Sequence, residues 1–386
     1  MSELLNGRWA ETKEALLEGL SGTKKSVMGV TLENTKKYLQ ESATAGATSA
    51  GNVATLNRVI LPVIRRVMPT VIANELVGVQ PMTGPVGQIH TLRVRYSDTS
   101  SNAGVTAGEE ALSPFKIAEG YSADSTGRAV STASLEGQAG KRMSIQILKQ
   151  TVEAKTRKLS ARWTFEAAQD AQAQQGIDIE AEVMAALAQE ITAEIDQEIL
   201  ASLLSLAGTA VESFDQNAVS GTATFVGDEH AALAVQINRV SNLIAQRTRR
   251  GAGNWAVVSP YALTILQSAT TSAFARTTEG TFEAPTNTKL VGTLNSAMKV
   301  YVNTYATDTT DILIGYKGSS ESDAAAFYCP YIPLMSSGVV LDPSTFEPVV
   351  SFMTRYGYVE LTNTASSLGN AADYLGRISL SNVSFK

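Results

Sequence analysis

The chain has 386 residues, of which 44% are hydrophobic, 18% charged and 6% aromatic. This is an ordinary globular composition with enough apolar material for a sizeable core and, at ~150 residues per domain, two or three domains. One cysteine, Cys329, excludes an intrachain disulfide scaffold and a cysteine-built zinc site, and two histidines, His90 and His230, leave little for imidazole–metal chemistry. No run of ~18 apolar residues is present to span a membrane, and the N-terminus lacks the apolar centre of a signal peptide. The product is therefore expected to be cytoplasmic when made, and a net charge of −6 gives no global attraction for nucleic acid.

In chain order, residues 1–20 interleave Leu4, Leu5, Leu16, Leu17 and Leu20 with Glu3, Glu11, Glu14 and Glu18, as an amphipathic helix does, and a second short helix is expected around Leu32 to Leu39. From Ser42 to Thr55, twelve of fourteen residues are Ser, Ala, Thr or Gly. Such a stretch buries little, so the first forty residues read as hanging from the body on a tether. Leu56, Val59, Ile60, Val63 and Ile64 keep helical spacing, interrupted by Pro62 and Pro69. Alternation of Ile89, Leu92, Val94 and Tyr96 predicts a strand over Gln88 to Tyr96. Residues 98–140 then contain 25 Gly, Ser, Thr or Ala out of 43, and a strand returns around Met143 to Leu148. The pattern is a long two-stranded excursion with a polar tip, too poor in apolar area to stand alone.

Charge is unevenly placed. Lys141 to Arg162 holds seven basic residues and one acid, Glu153, whereas Trp163 to Ile237 holds thirteen acids and no Lys or Arg. The blocks suit one another within a subunit or across subunits, or stand as two independent solvated faces. The expected contacts, at least partly between subunits, join Lys149, Lys155, Arg157 and Lys158 to Glu190, Glu194 and Glu198, which recur at four-residue spacing on one helix face. That helix is expected over Asp178 to Gly208, where Val183, Leu187, Ile191, Ile195, Ile199 and Leu203 recur every four residues with no interior Gly or Pro. Strict four-residue spacing drifts off a 3.5-residue seam, so a spine packed on a sheet fits better than a coiled coil. The remainder reads as mixed α/β: a helix over Asp228 to Arg250, strand WAVV, a helix started by Ser259 and Pro260, then strands KVYVNTY, DILIGYK, AFYCPY, VVSFMTRYGYVEL and RISLSNVSF.

No catalytic motif stands out. GxxxxGK[ST], GxGxxG after a strand, G-x-S-x-G and HExxH are all missing. Cys329 sits in an aromatic strand pattern that suits a buried small residue. His230, behind two acids at a helix start, is expected to be solvated, and His90 to be a local hydrogen-bonding residue. The pairs Glu109–Glu110 and Glu194/Glu198 are expected to be solvated or matched by basic residues. No catalytic residue, cofactor or metal is expected.

Five stretches resemble the major capsid protein of T-even-like tailed bacteriophages: Val63 to Tyr96 with GVQPM, Lys158 to Val183, Lys299 to Tyr305, Ile312 to Leu334 with the YKG…DA…YxPY run, and Phe346 to Gly357 with TRYG. They come in the family's order. The resemblance implies an α+β protein with the Hong Kong 97-type capsid fold. Its parts would be N-terminal helices and arm at 1–60, a linker into the body at 61–87, an E-loop hairpin and stem at 88–160, and a peripheral domain with spine helix at 161–206. An axial domain at 207–345 and returning strands at 346–386 would complete it. The implied function is self-assembly, as hexamers, into the icosahedral head shell enclosing phage genomic DNA, with the virion as location. Implied partners are further copies of the chain (hexamers and pentamers), packaged double-stranded DNA held non-specifically, and scaffolding, vertex, portal or decoration proteins. The segment ahead of the arm is shorter than in that family. LQES, Leu39 to Ser42, resembles the hydrophobic-x-Glu site cut by prohead proteases, as does LLEG, Leu16 to Gly19; the candidate maturation cleavage is the one between Glu41 and Ser42. The alternatives are an encapsulin-like compartment shell and a carboxylate-based hydrolase.

Overall fold

The computed structural model describes residues 22–44, 72–101, 103–109, 111, 120–122, 129–136, 140–175, 178–215, 226–248, 250–268, 274–276, 289–295, 297–307, 311–321, 323–361 and 371–382, with Trp9, Lys13, Glu14 and Leu17 ahead of them. In chain order the elements are helix α1 (Gly22–Thr44), the single turn α2 (Ala73–Leu76), strands β1 (Gly78–Val79), β2 (Val86–Tyr96), β3 (Met143–Glu153) and β4 (Lys155–Arg162), helices α3 (Phe165–Gln175) and α4 (Ile179–Leu206), strand β5 (Glu212–Asp215), helix α5 (Val226–Thr248), strand β6 (Trp255–Val258), helix α6 (Pro260–Ser268), and strands β7 (Phe274–Arg276), β8 (Lys289–Leu294), β9 (Met298–Val302), β10 (Ile312–Gly315), β11 (Ala326–Ser336), β12 (Val340–Leu341), β13 (Pro348–Glu360) and β14 (Leu375–Ser381). One sheet runs β1-β11-β13-β12, with β4 on the other edge of β13. A second runs β5-β14-β10-β6-β9-β8-β7, and β2–β3 form a separate two-stranded ribbon. The expected α+β class is what the chain shows.

Helix α4 is the expected spine. Leu187, Ile191, Ile195, Ile199 and Leu203 are buried along one face, because a four-residue step advances only slightly round a 3.6-residue turn. Asp178 starts the helix, its carboxylate accepting the Glu180 N–H at 3.1 Å. The stripe shares one core with Tyr328, Val350, Phe352 and Tyr356 of the first sheet and with Trp255, Val257 and Leu313 of the second. The second sheet buries its opposite face too: Ala256, Val258, Val300, Val302, Ile312 and Ile314 pack with Leu233, Ile237, Val240 and Ile244 of α5 and Ile265 of α6. Burial on both faces is why WAVV and ILIG are unbroken apolar runs rather than alternating ones.

Four readings change. The division placed at 345 cuts one sheet, since β11 and β12 pair with β13 rather than with the second sheet. All of β11 except Tyr331 is buried. The first forty residues are not merely tethered. Helix α1 takes in the short helix expected at Leu32 to Leu39 and packs Val27, Met28 and Leu32 into the main core, with Trp9 and Leu17 against it. Asn34 donates from Nδ2 to the carbonyls of Met82 (2.7 Å) and Tyr331 (2.9 Å), beside the register shift that β11 makes after Pro330. The stripe Val27, Met28, Thr31, Leu32 is shorter than the leucine pattern before it, which is why its packing was missed. His230 is buried rather than solvated, its Nδ1 against the Ser268 hydroxyl, because α5 and α6 close over it. The hairpin tip has a small core of its own, described below. The helical spacing of Leu56 to Ile64 lies outside the described residues, as does most of 1–20.

Replacing Asn34 with Leu removes both donors from the edge of the first sheet while keeping the side chain's bulk. A loss of about 1–3 kcal/mol in urea unfolding is expected, together with faster proteolysis of α1. An unchanged midpoint and an unchanged digest would show that the clasp does nothing.

Candidate assembly surfaces

The two most specific glycine-bearing motifs serve close packing. A Cβ on Gly78 of GVQPM would stand 2.3 Å from the Glu321 carbonyl oxygen and 2.8 Å from the Phe327 ring, so only glycine lets β1 lie parallel to β11 there. The Glu321 carboxylate accepts the Val79 N–H at 2.9 Å, and Lys317 of YKG reaches both Glu321 (3.2 Å) and the Asn74 carbonyl (2.8 Å). A Cβ on Gly357 of TRYG would meet the Val152 side chain at 2.5 Å, so this glycine admits the root of the ribbon against β13.

Strands β3 and β4 are interrupted only at Ala154, whose N–H donates to the Pro85 carbonyl at 2.9 Å. Upstream of that point the chain pairs with β2, and downstream with β13. The ribbon pairs Tyr96 with Met143 and Val94 with Ile145, directly opposed residues share a face, and Ile147, two residues further along β3, lies on that face too. That face is apolar, yet Met143, Ile145 and Ile147 are 53%, 67% and 66% exposed. An uncovered apolar ladder beside open strand edges is a pairing surface. At its far end Tyr96, Ala103, Val105, Ala111 and Tyr121 make a small separate core. The Tyr121 hydroxyl donates to the Arg142 carbonyl at 2.6 Å, and Lys141 lies 5.4 Å over its ring. Too few apolar residues fall here to make a stripe, so composition alone concealed this knob.

A second apolar patch lies at the other end of the β3–β4 line. Phe165 and Phe346 have ring centroids 5.8 Å apart, and Phe346 is 70% exposed with φ 60°. A bulky residue in the left-handed region is unusual. The turn enforces it: the Phe346 N–H donates to the Asp342 carbonyl at 2.8 Å, the Asp342 N–H donates to the Glu347 carbonyl at 3.0 Å, and the Asp342 carboxylate takes both the N–H and the hydroxyl of Ser344. Val339, Val340 and Leu341 beside it are also exposed. A phenylalanine inside a turn sequence, DPSTFEP, was the available signal.

The structure brings together only part of the expected charge set, and it does so inside one subunit. Arg157 forks, Nη1 donating to Glu194 and Nη2 to Glu198, each at 2.6 Å, while its Nε donates to the Tyr356 hydroxyl at 2.6 Å. That hydroxyl donates in turn to Glu198. Burial alone would raise the Glu198 carboxyl, but the bonds from Tyr356 and Arg157 outweigh it and hold Glu198 below its ordinary range. Lys149, Lys155, Lys158 and Glu190 are exposed, with no ion pair among the described residues. Lys149 and Lys155 line a groove of 880 Å³ with Arg157, Glu198, Tyr356 and Glu360. Glu41 and Ser42 fall in the last turn of α1. Cys329 is buried as expected, its thiol pushed up to about 12 by burial, and His90 is exposed on the ribbon opposite Lys149.

A body with two uncovered apolar ends and a spine helix between its sheets has the build of a subunit that is completed by other chains. The major capsid protein Gp23 family matches residues 53–380, and the chain belongs to it. The major capsid protein of Salmonella phage ViI is 30% identical over 358 residues, covering 83% of this chain and 80% of its own. That of Vibrio phage KVP40 is 29% identical over 426 residues (85% and 81%), and that of Enterobacteria phage T4 is 28% identical over 411 residues (83% and 78%). Among solved structures, the capsid of Myoviridae phage XM1 is similar with a TM-score of 0.47 at 10% identity, covering 80% of this chain and 91% of that chain. The chain is thus a structural protein of the virion head shell and not an enzyme, which displaces the encapsulin-like and hydrolase alternatives. The β2–β3 hairpin and helix α4 fall at the positions where the resemblance implied an E-loop and a spine helix.

The Arg157 network carries a pH signature. A depressed carboxyl stabilises the fold above its unfolded value and loses that contribution as pH falls through the lowered one. Glu198→Gln should therefore flatten the acid limb of a thermal-denaturation profile. At this exposure each pair contributes only about 0.2–1 kcal/mol, less in high salt. An acid limb identical in wild type and variant at low salt would refute this assignment.

Proposed function

We propose that the subunit assembles as hexamers into an icosahedral head shell that encloses phage genomic double-stranded DNA. The observation that supports this most is the Met143, Ile145, Ile147 ladder, which its own subunit leaves in water. A neighbouring copy that covers the ladder removes the cost of that exposure, at roughly 25 cal/mol per Å² of apolar area. A contact of one patch with a different patch on the next copy is head-to-tail and closes into a ring when the rotation permits. Exposed Lys149, Lys155 and Lys158, facing Glu190 of another copy, would add register and salt sensitivity rather than affinity. A chain of net charge −6 holds DNA by closure rather than by attraction, which fits containment without sequence preference. Pentamers, and scaffolding, vertex, portal or decoration proteins, complete the partners of this reading. Cleavage between Glu41 and Ser42 would separate α1 from the body, and it requires the last turn of that helix to unwind.

Ile145→Lys with Ile147→Lys should leave a folded subunit with a wild-type circular dichroism spectrum. The same variant should lose assembled shells and hexamers in electron microscopy and sedimentation. Shells of wild-type size and yield from the double variant would overturn the reading.

A further inference from the structure

Two polar side chains are buried on α4: Thr192, whose hydroxyl donates to the Ala188 carbonyl at 2.8 Å, and the ionisable Asp196. Asp196 is 1% exposed, in the core that also holds Ile195, Ile199, Leu76, Val77 and Tyr328. Its Oδ1 accepts the N–H of Ile72 at 3.0 Å. Its Oδ2 is buried and has no hydrogen-bond partner among the described residues. Ile72 stands one residue before α2, and its carbonyl accepts the Glu75 and Leu76 N–H groups that form the turn. The spine helix thus fastens the entering chain through a single carboxyl oxygen.

An ionised carboxylate with one donor and one bare oxygen in an apolar core is costly, whereas the neutral acid is tolerated there. Among the described residues no cation relieves it. Of the charged groups on the surrounding elements, Glu75 of α2 pairs with Lys299 at 3.3 Å, Lys317 pairs with Glu321 at 3.2 Å, and Arg157 of β4 is taken by Glu194 and Glu198. Tyr301 of β9 interacts with Glu75, and the Tyr356 hydroxyl of β13 is bonded to Glu198. The ionisable neighbour that feels Asp196 is Tyr328 of β11, fully buried and itself neutral.

We propose that Asp196 is a proton-operated latch: as the neutral acid it keeps the entering chain at Ile72 fastened to the spine helix, and loss of its proton releases that segment. Burial pushes the carboxyl up to about 7, with the Ile72 N–H only partly opposing the rise. For a raised acid, the closed state is favoured in full below the ordinary carboxylate value. That preference fades as pH climbs towards the raised value and is flat beyond it. The latch joins the turn at Ile72, and with it α2 and β1, to the spine on which both sheets rest, so its state bears on how firmly that turn is held. It does not depend on how copies meet.

The test is hydrogen exchange on the full chain, corrected for intrinsic rates, following amides 72–79 from about pH 5 to 9. Protection there should fall by up to about tenfold per pH unit between roughly pH 5 and 7 and then level off, while amides of Trp255–Val258 hold constant. Asp196→Asn, which keeps the acceptor for Ile72, should remove that dependence and should abolish a protonated-carboxyl band seen by infrared at pH 5–6 in the wild type. Equal pH profiles in wild type and variant, or a wild-type profile flat across the range, would overturn the proposal. If the variant does not fold, the wild-type comparison of the two segments decides on its own.

Discussion

The structure depends on one packing constraint: a 28-residue helix whose apolar face, buried from Leu187 to Leu203, must be covered. At ~1.5 Å per residue the helix is roughly 42 Å long. Helix α4 shares its core with both sheets, β11 and β13 of the first and β6 and β10 of the second. This shared core is what joins the two sheets into one body. It also explains why β11, far along the chain, comes back to the first sheet. Phe352 and Val350 on β13 and Tyr328 on β11 supply the apolar surface that Ile191 to Ile199 require.

The same constraint explains the exposed ends. Apolar area near the spine is used within the subunit, and the long β3–β4 line carries the chain beyond that core at both ends. At one end the ribbon is supported by its own ladder and by the small knob around Tyr121. At the other, the Phe165–Phe346 pair is held by a tight turn that puts a phenylalanine in a left-handed conformation. Rigid presentation of apolar groups in water suits a subunit whose folding is finished by its neighbours. It is poorly suited to a solitary enzyme, whose apolar residues converge on a pocket.

Polar groups in this molecule mostly fix geometry. Asn34 closes the edge of the first sheet, the Lys317–Glu321 pair holds the entry of β1, and Arg157 joins β4 to α4 through two donors and to Tyr356 of β13 through a third. Asp196 differs because half of its hydrogen-bonding capacity is unmet in a core that excludes water. That imbalance raises its carboxyl through burial, whereas the bonds from Tyr356 and Arg157 hold Glu198 down.

Periodicity made several features legible before any coordinates. The four-residue step of Leu187 to Leu203 specified the spine, its flanking Asp178 specified the start, and alternation at 88–96 specified the ribbon, because each is a local consequence of backbone geometry. The motifs GVQPM, YKG and TRYG carried the family for a related reason: their glycines stand where a Cβ would collide with Glu321, Asp323 and Val152 respectively. What no local pattern contained was contact between distant segments. That β11 belongs with β13, that Val27 and Leu32 find a groove, that Arg157 meets Glu194 and Glu198 in its own subunit, and that Ile145 stays in water while Ile191 is buried were all decided by tertiary packing. Hydrophobicity along a chain says that a residue favours burial, but only the assembled surfaces determine whether anything is there to bury it.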